Sequence, residues 1–208
     1  MAAGKVTTGF SLPYVAKYAY SGSVSYTSGQ KLARGVNVTI TPTTNNAENN
    51  FYADNQLSES ASGGYNGATF SLEVDGLKVA AQRLIYGLSA AGGDGFTDYN
   101  DSAVYPYCGV GFVVRQQEEG VVSFMAIVIP KARFDYPTIA AATQEQEIDW
   151  QTQTLTGTIF KSDGTGKPWL RVGASYEVGT TYTTEALAEA QAENDLKTAL
   201  GITSQTTT

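Results

Sequence analysis

Carboxylates and hydroxyls are the reactive groups this chain carries in number. It holds 20 Asp and Glu and 13 Tyr, but a single cysteine, Cys108, and no histidine. Without imidazole, Ser–His and Cys–His nucleophile pairs are excluded. Glu118-Glu119 places two carboxylates side by side. Such pairs do acid–base work only inside an enclosing cleft, and a hairpin tip is rarely one. Asp94, Asp98 and Asp101 recur in a Gly-rich stretch, without the spacing or the closing glutamate of a calcium loop; a solvated acidic loop is the plainer reading. Gly164-Thr-Gly166-Lys167-Pro168 has a faint phosphate-loop look. It lacks the earlier glycine at the right spacing, and Pro168 stands where Ser or Thr must hold magnesium, so it reads as a turn. No catalytic residue, metal or cofactor is expected, and the chain is not expected to be an enzyme.

Two stretches suggest contact chemistry instead. Lys131-Ala-Arg133-Phe134-Asp135-Tyr136 sets two cations among aromatics, which suits an interface with cation–π contacts or an ordinary strand exit. Phe51 and Tyr52 sit inside a long polar stretch, residues 43–68, followed by Asp54. Loops this long in compact domains usually have a task. Its aromatics either anchor a neighbouring molecule or tuck back as a short strand. Cys108 lies in Tyr-Pro-Tyr-Cys-Gly-Val-Gly-Phe and reads as a small buried residue. Asn37-Val38-Thr39 matches a glycosylation acceptor inside an expected strand and is taken as chance.

The elements that must hold these residues are mostly strands. Charged residues make up 16% of the chain against 42% hydrophobic, and Thr, Ser, Asn, Gln and Gly fill the gap. That mix is too apolar for disorder and suits strands with uncharged polar outer faces. The net charge of -7 and pI near 4.6 supply no basic footprint for nonspecific nucleic-acid binding. No apolar run reaches the length of a membrane helix, the amino terminus lacks the apolar centre of a signal peptide, and one cysteine makes no internal disulfide. No membrane insertion is expected.

Alternation marks the strands one by one. Residues 5–20 hold an opening strand and turn around Pro13, and Tyr18, Tyr20, Val24 and Tyr26 share parity as one bent strand or a strand start. Val36, Val38 and Ile40 alternate with polar residues until Pro42, which should end that strand. Phe70, Leu72 and Val74 share a face. Leu77, Ala80, Ala81, Leu84 and Ile85 follow helical spacing up to Gly87. Residues 105–115 and 121–129 form a hairpin around Gln116–Gly120. Val121–Ile129 is apolar on both faces, which places it centrally or against another layer. Glu147–Phe160 is a long threonine-laced strand, or two joined by a bend at Gly157, in which Trp150, Thr152 and Thr154 share parity, and 169–172 makes a late strand.

The expected architecture is mainly β: a β-sandwich or flattened barrel over residues 1–179 with one flanking α-helix. Residues 180–208 form a C-terminal extension with a helix over 184–200, capped by Thr183 or Thr184. Its stripe of Leu187, Ala190, Leu196 and Leu200 is thin, so it either docks on a neighbour or stands in solvent. A disordered tip from Ile202 to Thr208 is expected.

The order of these segments resembles the major tail proteins, or tail tube proteins, of long-tailed phages with non-contractile tails that infect Gram-positive bacteria. Gly4-Lys-Val-Thr-Thr-Gly9 with Tyr14-Val-Ala16 is similar to the family start. Val36-Asn-Val-Thr-Ile-Thr-Pro42, then Phe51-Tyr-Ala-Asp54-Asn55, is similar to its strand and loop. Phe70-Ser-Leu-Glu-Val74 leading to Leu84-Ile-Tyr-Gly87, Pro106-Tyr-Cys-Gly-Val-Gly-Phe112 and Ile148-Asp-Trp-Gln-Thr-Gln-Thr-Leu155 carry the rest. The likeness runs over roughly residues 4–172 and leaves out the Gly/Asp loop at 92–101 and the C-terminal helix.

The resemblance implies hexameric rings joined sheet edge to sheet edge and stacked into a tube, in a virion tail assembled in the host cytoplasm. Its partners would be tape measure and tail-end proteins, with double-stranded DNA passing through a β-lined bore during ejection. The candidate contacts between subunits or rings are Phe51, Tyr52, Asp54, Arg133, Phe134, Trp150, Thr152 and Thr154. Threonine-rich Gln151–Thr158 suits an unprotected edge, and an acidic bore would repel phosphates. The rivals are a β-sandwich binding module for carbohydrate or protein on a virion or cell surface, and an enzyme working with carboxylates alone.

Overall fold

A computed structural model describes residues 4–44, 49–54, 56–61, 65–89, 96–99, 104–138, 151–179 and 181–202. The fold is mainly β, with an antiparallel sheet and two helices. The strands are β1 (Val6–Tyr20), β2 (Val24–Lys31), β3 (Gly35–Thr44), β4 (Asn49–Ala53), β5 (Gln56–Ala61), β6 (Tyr65–Val74), β7 (Cys108–Glu118), β8 (Val121–Phe134), β9 (Gln153–Phe160) and β10 (Arg171–Glu177). Helix α1 spans Val79–Tyr86 and α2 spans Glu185–Ala199.

The main sheet runs β2-β1-β7-β8-β9-β6-β3, and β10 also pairs with β8. Strand β8 is shared between two halves. Its first part pairs with β10 from Ser123 to Val128, and its last part pairs with β9 from Lys131 to Phe134. The sheet folds over a core in which Val15, Val110, Phe112 and Ile129 from one half meet Phe70, Leu72, Leu155 and Ile159 from the other. Phe10 of β1 packs edge-on against Phe112 at 5.3 Å. It also comes so close to Gly35 of β3 that a Cβ there would stand 2.0 Å from its ring. The first part of β1 thereby packs over the Gly35 end of β3 without pairing to it, as in a sandwich or flattened barrel.

Alternation read from sequence translates directly where a strand is regular. Ala68, Phe70, Leu72 and Val74 of β6 are buried while Thr69 is exposed. Strand β8 is buried on both faces: Phe124, Ala126 and Val128 on one, Ile129 on the other. The β7–β8 turn is tighter than the sequence suggests, because Glu119 and Gly120 alone carry φ of 47° and 87°. Two consecutive positive values match the right-handed strand twist.

Other expectations need correction. Tyr18–Tyr26 is a hairpin, turned by Gly22 at φ 77°, rather than one bent strand. Pro13 does not interrupt β1, since Leu12 at φ 53° takes up the extra residue and the Pro13 carbonyl accepts from Leu32 N at 2.8 Å. Pro42 does not end β3, which runs on to Thr44; β3 is an edge strand, where a missing donor is tolerated. Within the stretch 43–68 the described residues include a separate antiparallel pair, β4–β5, between β3 and β6, so Phe51 and Tyr52 take the short-strand alternative.

Helix α1 turns Ala81, Ile85 and Tyr86 into the core, and Ala80 faces out. Gly87 at φ 64° closes it, with Leu88 N donating to the Arg83 carbonyl at 2.9 Å. Helix α2 docks on its own sheet rather than on a neighbour. Its buried stripe is Ala188, Ala192 and Leu196 with Leu200 beyond, while Leu187 is 53% exposed. Ile202 packs at the end of this cluster instead of fraying; residues 203–208 lie outside the described residues.

Candidate functional site

Two parts of the outward sheet surface have opposite characters. The first lies on β3, β6 and β9. Hydrophobic residues of these strands point to the core, so their partners in alternation must point away. The pairing register then lines them up in three rows: Asn37, Glu73 and Thr154; Thr39, Ser71 and Thr156; Thr41, Thr69, Thr158 and, on β8, Arg133. Adjacent strands stand about 4.8 Å apart, so the rows form a nearly continuous sheet of hydroxyls. Thr39, Thr41, Thr69, Thr154 and Thr156 are exposed. Thr152 extends the patch and donates to Glu73 Oε1 at 2.5 Å. Glu73 and Arg133 are the charged side chains in these rows.

Beneath the rows the core is keyed to Gly157. Phe70 crosses from β6 into the space above it, where a Cβ would come within 2.5 Å of both the Phe70 ring and the Arg133 carbonyl. Phe134 meets Phe70 edge-on at 5.2 Å. With 1% exposure, Phe134 is core and unavailable to another subunit in this conformation, a correction to its reading as a contact residue.

The second part lies on β1, β7, β8 and β10 and is covered by α2. Gly109 and Gly111 on β7 leave room for the helix. A Cβ on Gly111 would stand 2.2 Å from Leu196 Cδ1, and one on Gly109 would stand 2.8 Å from Leu200 Cδ2. Polar ties fix the helix in place. Ser11 Oγ donates to Glu189 at 2.7 Å, Tyr14 OH to Glu193 at 2.5 Å, and Tyr176 OH to Asp195. Arg115 meets Glu185 at 3.0 Å, and within the helix Lys197 meets Glu193 at 2.8 Å. Burial pushes the Glu193 carboxyl up, but hydrogen bonds from Lys197 and Tyr14 outweigh it and hold the group below the usual carboxylate range. Burial and the Glu193 carboxylate push the Tyr14 phenol up.

A basic–aromatic patch joins the two parts. Lys131 Nζ sits 2.6 Å from Asp163 Oδ2, 4.5 Å over the Tyr107 ring and 5.3 Å over the Tyr18 ring. Arg133 lies over Tyr107 and Phe160 at 5.9 and 5.6 Å. Lys131, followed by Tyr18, holds the Asp163 carboxyl below its ordinary range. Cation–π chemistry therefore occurs in the 131–136 stretch, but its rings come from Tyr18, Tyr107 and Phe160 of the same chain.

The remaining expected contacts separate by place. Phe51 and Tyr52 lie on β4 opposite Glu59 and Leu57. Asp54 is exposed in the β4–β5 turn at φ 51°. Thr152 and Thr154 fall on the hydroxyl face, and Trp150 lies outside the described residues. Strand β9 is an interior strand between β6 and β8 rather than an edge. Sequence periodicity marked the threonines of β9 and β3; it held no sign that β6 would lie between them and complete the rows.

Strand margins are the other assembly feature. Strands β2, β3 and β10 end the sheet paths among the described residues. Strand β2 ends in Lys31, and β10 is bounded by Arg171 and Glu177. Strand β3 has ten residues and no charge.

Cys108 is buried, and burial pushes its thiol up to about 12 against a smaller opposing effect of Lys17. Glu118 and Glu119 lie at the β7–β8 hairpin turn. Asp98 is described and exposed, whereas Asp94 and Asp101 lie outside the described residues. Among the described residues no three Cys, Asp or Glu side chains gather as metal ligands. A cleft of about 540 Å³ beside β9 is lined by Tyr86, Tyr136, Gln82, Thr154 and Thr156. Among the described residues no helix is long and apolar enough to cross a membrane. No protein-family model matches the chain, and neither does any curated protein.

Proposed function

We propose that this chain is a structural virion subunit: copies join edge to edge in hexameric rings that stack into the tail tube of a long-tailed phage, through which the genome leaves. The likeness of segments in order along the chain supports the family, and the hexamer comes from that likeness. The observation that carries self-assembly is β3, a ten-residue edge strand without a single charge. Edges of monomeric proteins are usually blunted by lysine, by inward charge, by proline, by bulges or by brevity; β3 has Pro42 towards one end but keeps Asn37–Thr41 uncharged and in unbroken register. Here two register shifts, at Gly35/Asn37 and at Pro42/Thr44, bound a regular stretch between them.

Ring closure needs a repeating contact between two different surfaces, and stacking needs a second contact of that kind. Strand β3 offers a margin for the first. The β4–β5 pair, outside the main sheet, offers an element for the second, bringing Phe51, Tyr52 and Asp54 to the next ring. Tape measure and tail-end proteins would then bound the polymer.

The test adds charge to the edge where the ladder is already irregular. Val36 is 51% exposed, and Thr43 is exposed as well. The unmodified protein should form rings or tubes in negative-stain images across a concentration series, alone or with tail-end proteins supplied. Val36→Lys with Thr43→Lys should keep its circular dichroism spectrum and stay monomeric. A persistent monomer of the unmodified chain under every condition would reject the reading in favour of a surface binding module.

A further inference from the structure

Strand β9 lies between β6 and β8, but the two neighbours cover unequal lengths of it. Strand β6 pairs with it from Gln153 to Ile159, whereas β8 pairs only from Gly157 to Phe160. One bond carries the β8 lane a step further, from Asp135 N to the Thr156 carbonyl at 2.9 Å. At the same register Pro137 would stand opposite Thr154, the next position at which an antiparallel pair exchanges both of its bonds. Proline has no N–H to give and cannot continue such a ladder. The chain leaves the lane here, and a cleft of about 540 Å³ lies between Tyr136–Thr138 and β9, with Gln82 and Tyr86 of α1 also lining it. The Thr156 carbonyl faces β8, so the N–H and C=O of Thr154, two residues back, face the same way and point into the cleft. Those of Thr152 follow. Among the described residues no backbone group pairs with them.

We propose that this open half of β9 is a strand-addition site, which takes an extended, uncharged segment of another polypeptide, antiparallel to β9, in the lane that β8 vacates. The occupant follows from the wall. Unpaired N–H and C=O groups at strand spacing are matched by another backbone, and the added strand prolongs a ladder that Lys131–Phe134 already forms. Among the described residues the lining holds amides, hydroxyls and tyrosine rings and no charged side chain. A charge carried into it would lose water without gaining a partner. The neighbouring Glu73 carboxylate is engaged by the Thr152 hydroxyl. Tyr136, 77% exposed and set edge-on against Tyr105, offers its ring to an apolar side chain at an alternate position. The site is complete within one copy, so it goes beyond the tube reading and does not depend on it.

Amide hydrogen exchange in the full chain reads the open edge first. The Thr154 amide should exchange at least about tenfold faster than the Leu155 amide, which faces β6. Equal protection would mean that the edge is already filled and would overturn the proposal. The probes are two blocked pentapeptides, one alternating threonine with valine and one alternating threonine with tyrosine. At least one should bind and slow exchange at Thr154; binding of neither would overturn the proposal. Methylating the backbone nitrogens of the bound peptide should weaken it at least about tenfold at one parity and leave it unchanged at the other, because only every second amide of an added strand meets β9. Equal effects at both parities would overturn strand addition. Thr154→Pro removes a donor that faces the cleft and should abolish binding with the circular dichroism spectrum kept; if that variant does not fold, the methylated peptides decide alone. Protection of Thr154 by maltohexaose and by neither peptide would reassign the cleft to a neutral glycan. None of these measurements needs rings or tubes, so their failure leaves the tube reading intact.

Discussion

The β7 and β9 outer faces sit on one folded sheet, and their outward residues explain why one is covered and the other bare. On β7 those residues include Gly109, Gly111 and Val113; on β9 they are Thr154, Thr156, Thr158 and Phe160. Glycine removes the Cβ layer, and the leucines of α2 drop into the space. Threonine keeps a branched, hydroxyl-bearing side chain at three of the four outward positions, which favours the strand, and the fourth, Phe160, lies beneath Arg133 and against Tyr107. A helix as weakly amphipathic as α2 docks only because its partner surface is cut to fit it: its stripe is largely alanine, so backbone must approach backbone.

The sharpest way to break the contrast is at the Leu196–Gly111 contact. Leu196 is fully buried, and Leu196→Ala should cost about 2–5 kcal/mol in chemical denaturation. Gly111→Val should cost somewhat less, about 1–3 kcal/mol, the range for overpacking. The nearest clash is with the Leu196 side-chain end, and the Ile127 carbonyl oxygen stands 3.3 Å away on the backbone side. Combining Gly111→Ala with Leu196→Ala should recover part of the loss, because the new methyl fills the volume vacated by leucine; strictly additive losses would mean that the helix does not rest on this glycine.

How much of this was legible beforehand follows from which rules are local. Alternation is local, so β6 and β8 were visible with their correct buried faces, as was the Thr184 cap, which accepts from Leu187 N at 3.3 Å. Pairing order is not local. Nothing in Thr152–Thr158 says that β9 lies between β6 and β8, so an interior strand looked like an edge. The α2 stripe was half legible: Leu196 and Leu200 are buried as expected, but the close approach of the helix to the sheet takes in Ala188 and Ala192 in place of Leu187 and Ala190. Proline was over-read as a terminator at Pro42, because an edge position cannot be recognised before the neighbours are known. Phe134 looked like a contact residue beside two cations, yet strand parity turns it inward while Lys131 and Arg133 turn outward.

The polar ties of α2 sharpen the comparison by pH, with a smaller effect. The Glu193 carboxyl is held below its ordinary range in the folded protein. Its contribution is therefore present at neutral pH and lost as pH falls through that lowered value. Lys197 is pushed up chiefly by the Glu193 hydrogen bond, and Tyr14 chiefly by burial; their contributions are present below the ordinary values and lost as pH rises through the raised ones. Thermal unfolding of the unmodified protein and of Glu193→Gln should differ most on the neutral plateau, with the gap closing in acid. A gap of constant size down to the lowest pH would mean that ionised Glu193 does not hold the helix.

The smallest effect should come from that bare face itself. Thr156 sits across from Ser71, exposed, at the centre of the rows. In the isolated subunit Thr156→Ala removes no buried contact, so it should change stability by no more than about 0.5 kcal/mol. The loss of a β-branched side chain works against the variant, within a propensity scale that spans about 1 kcal/mol in all. Threonine at this site is then surplus to the needs of one folded chain, although the strand retains it at alternate positions from Thr152 to Thr158. A cost well above 1 kcal/mol would show that the rows support the subunit's own fold, and would remove the reason to look for their use in the assembled polymer. A near-zero cost in the subunit, joined to a measurable change in the polymer, would place the value of the hydroxyls between copies.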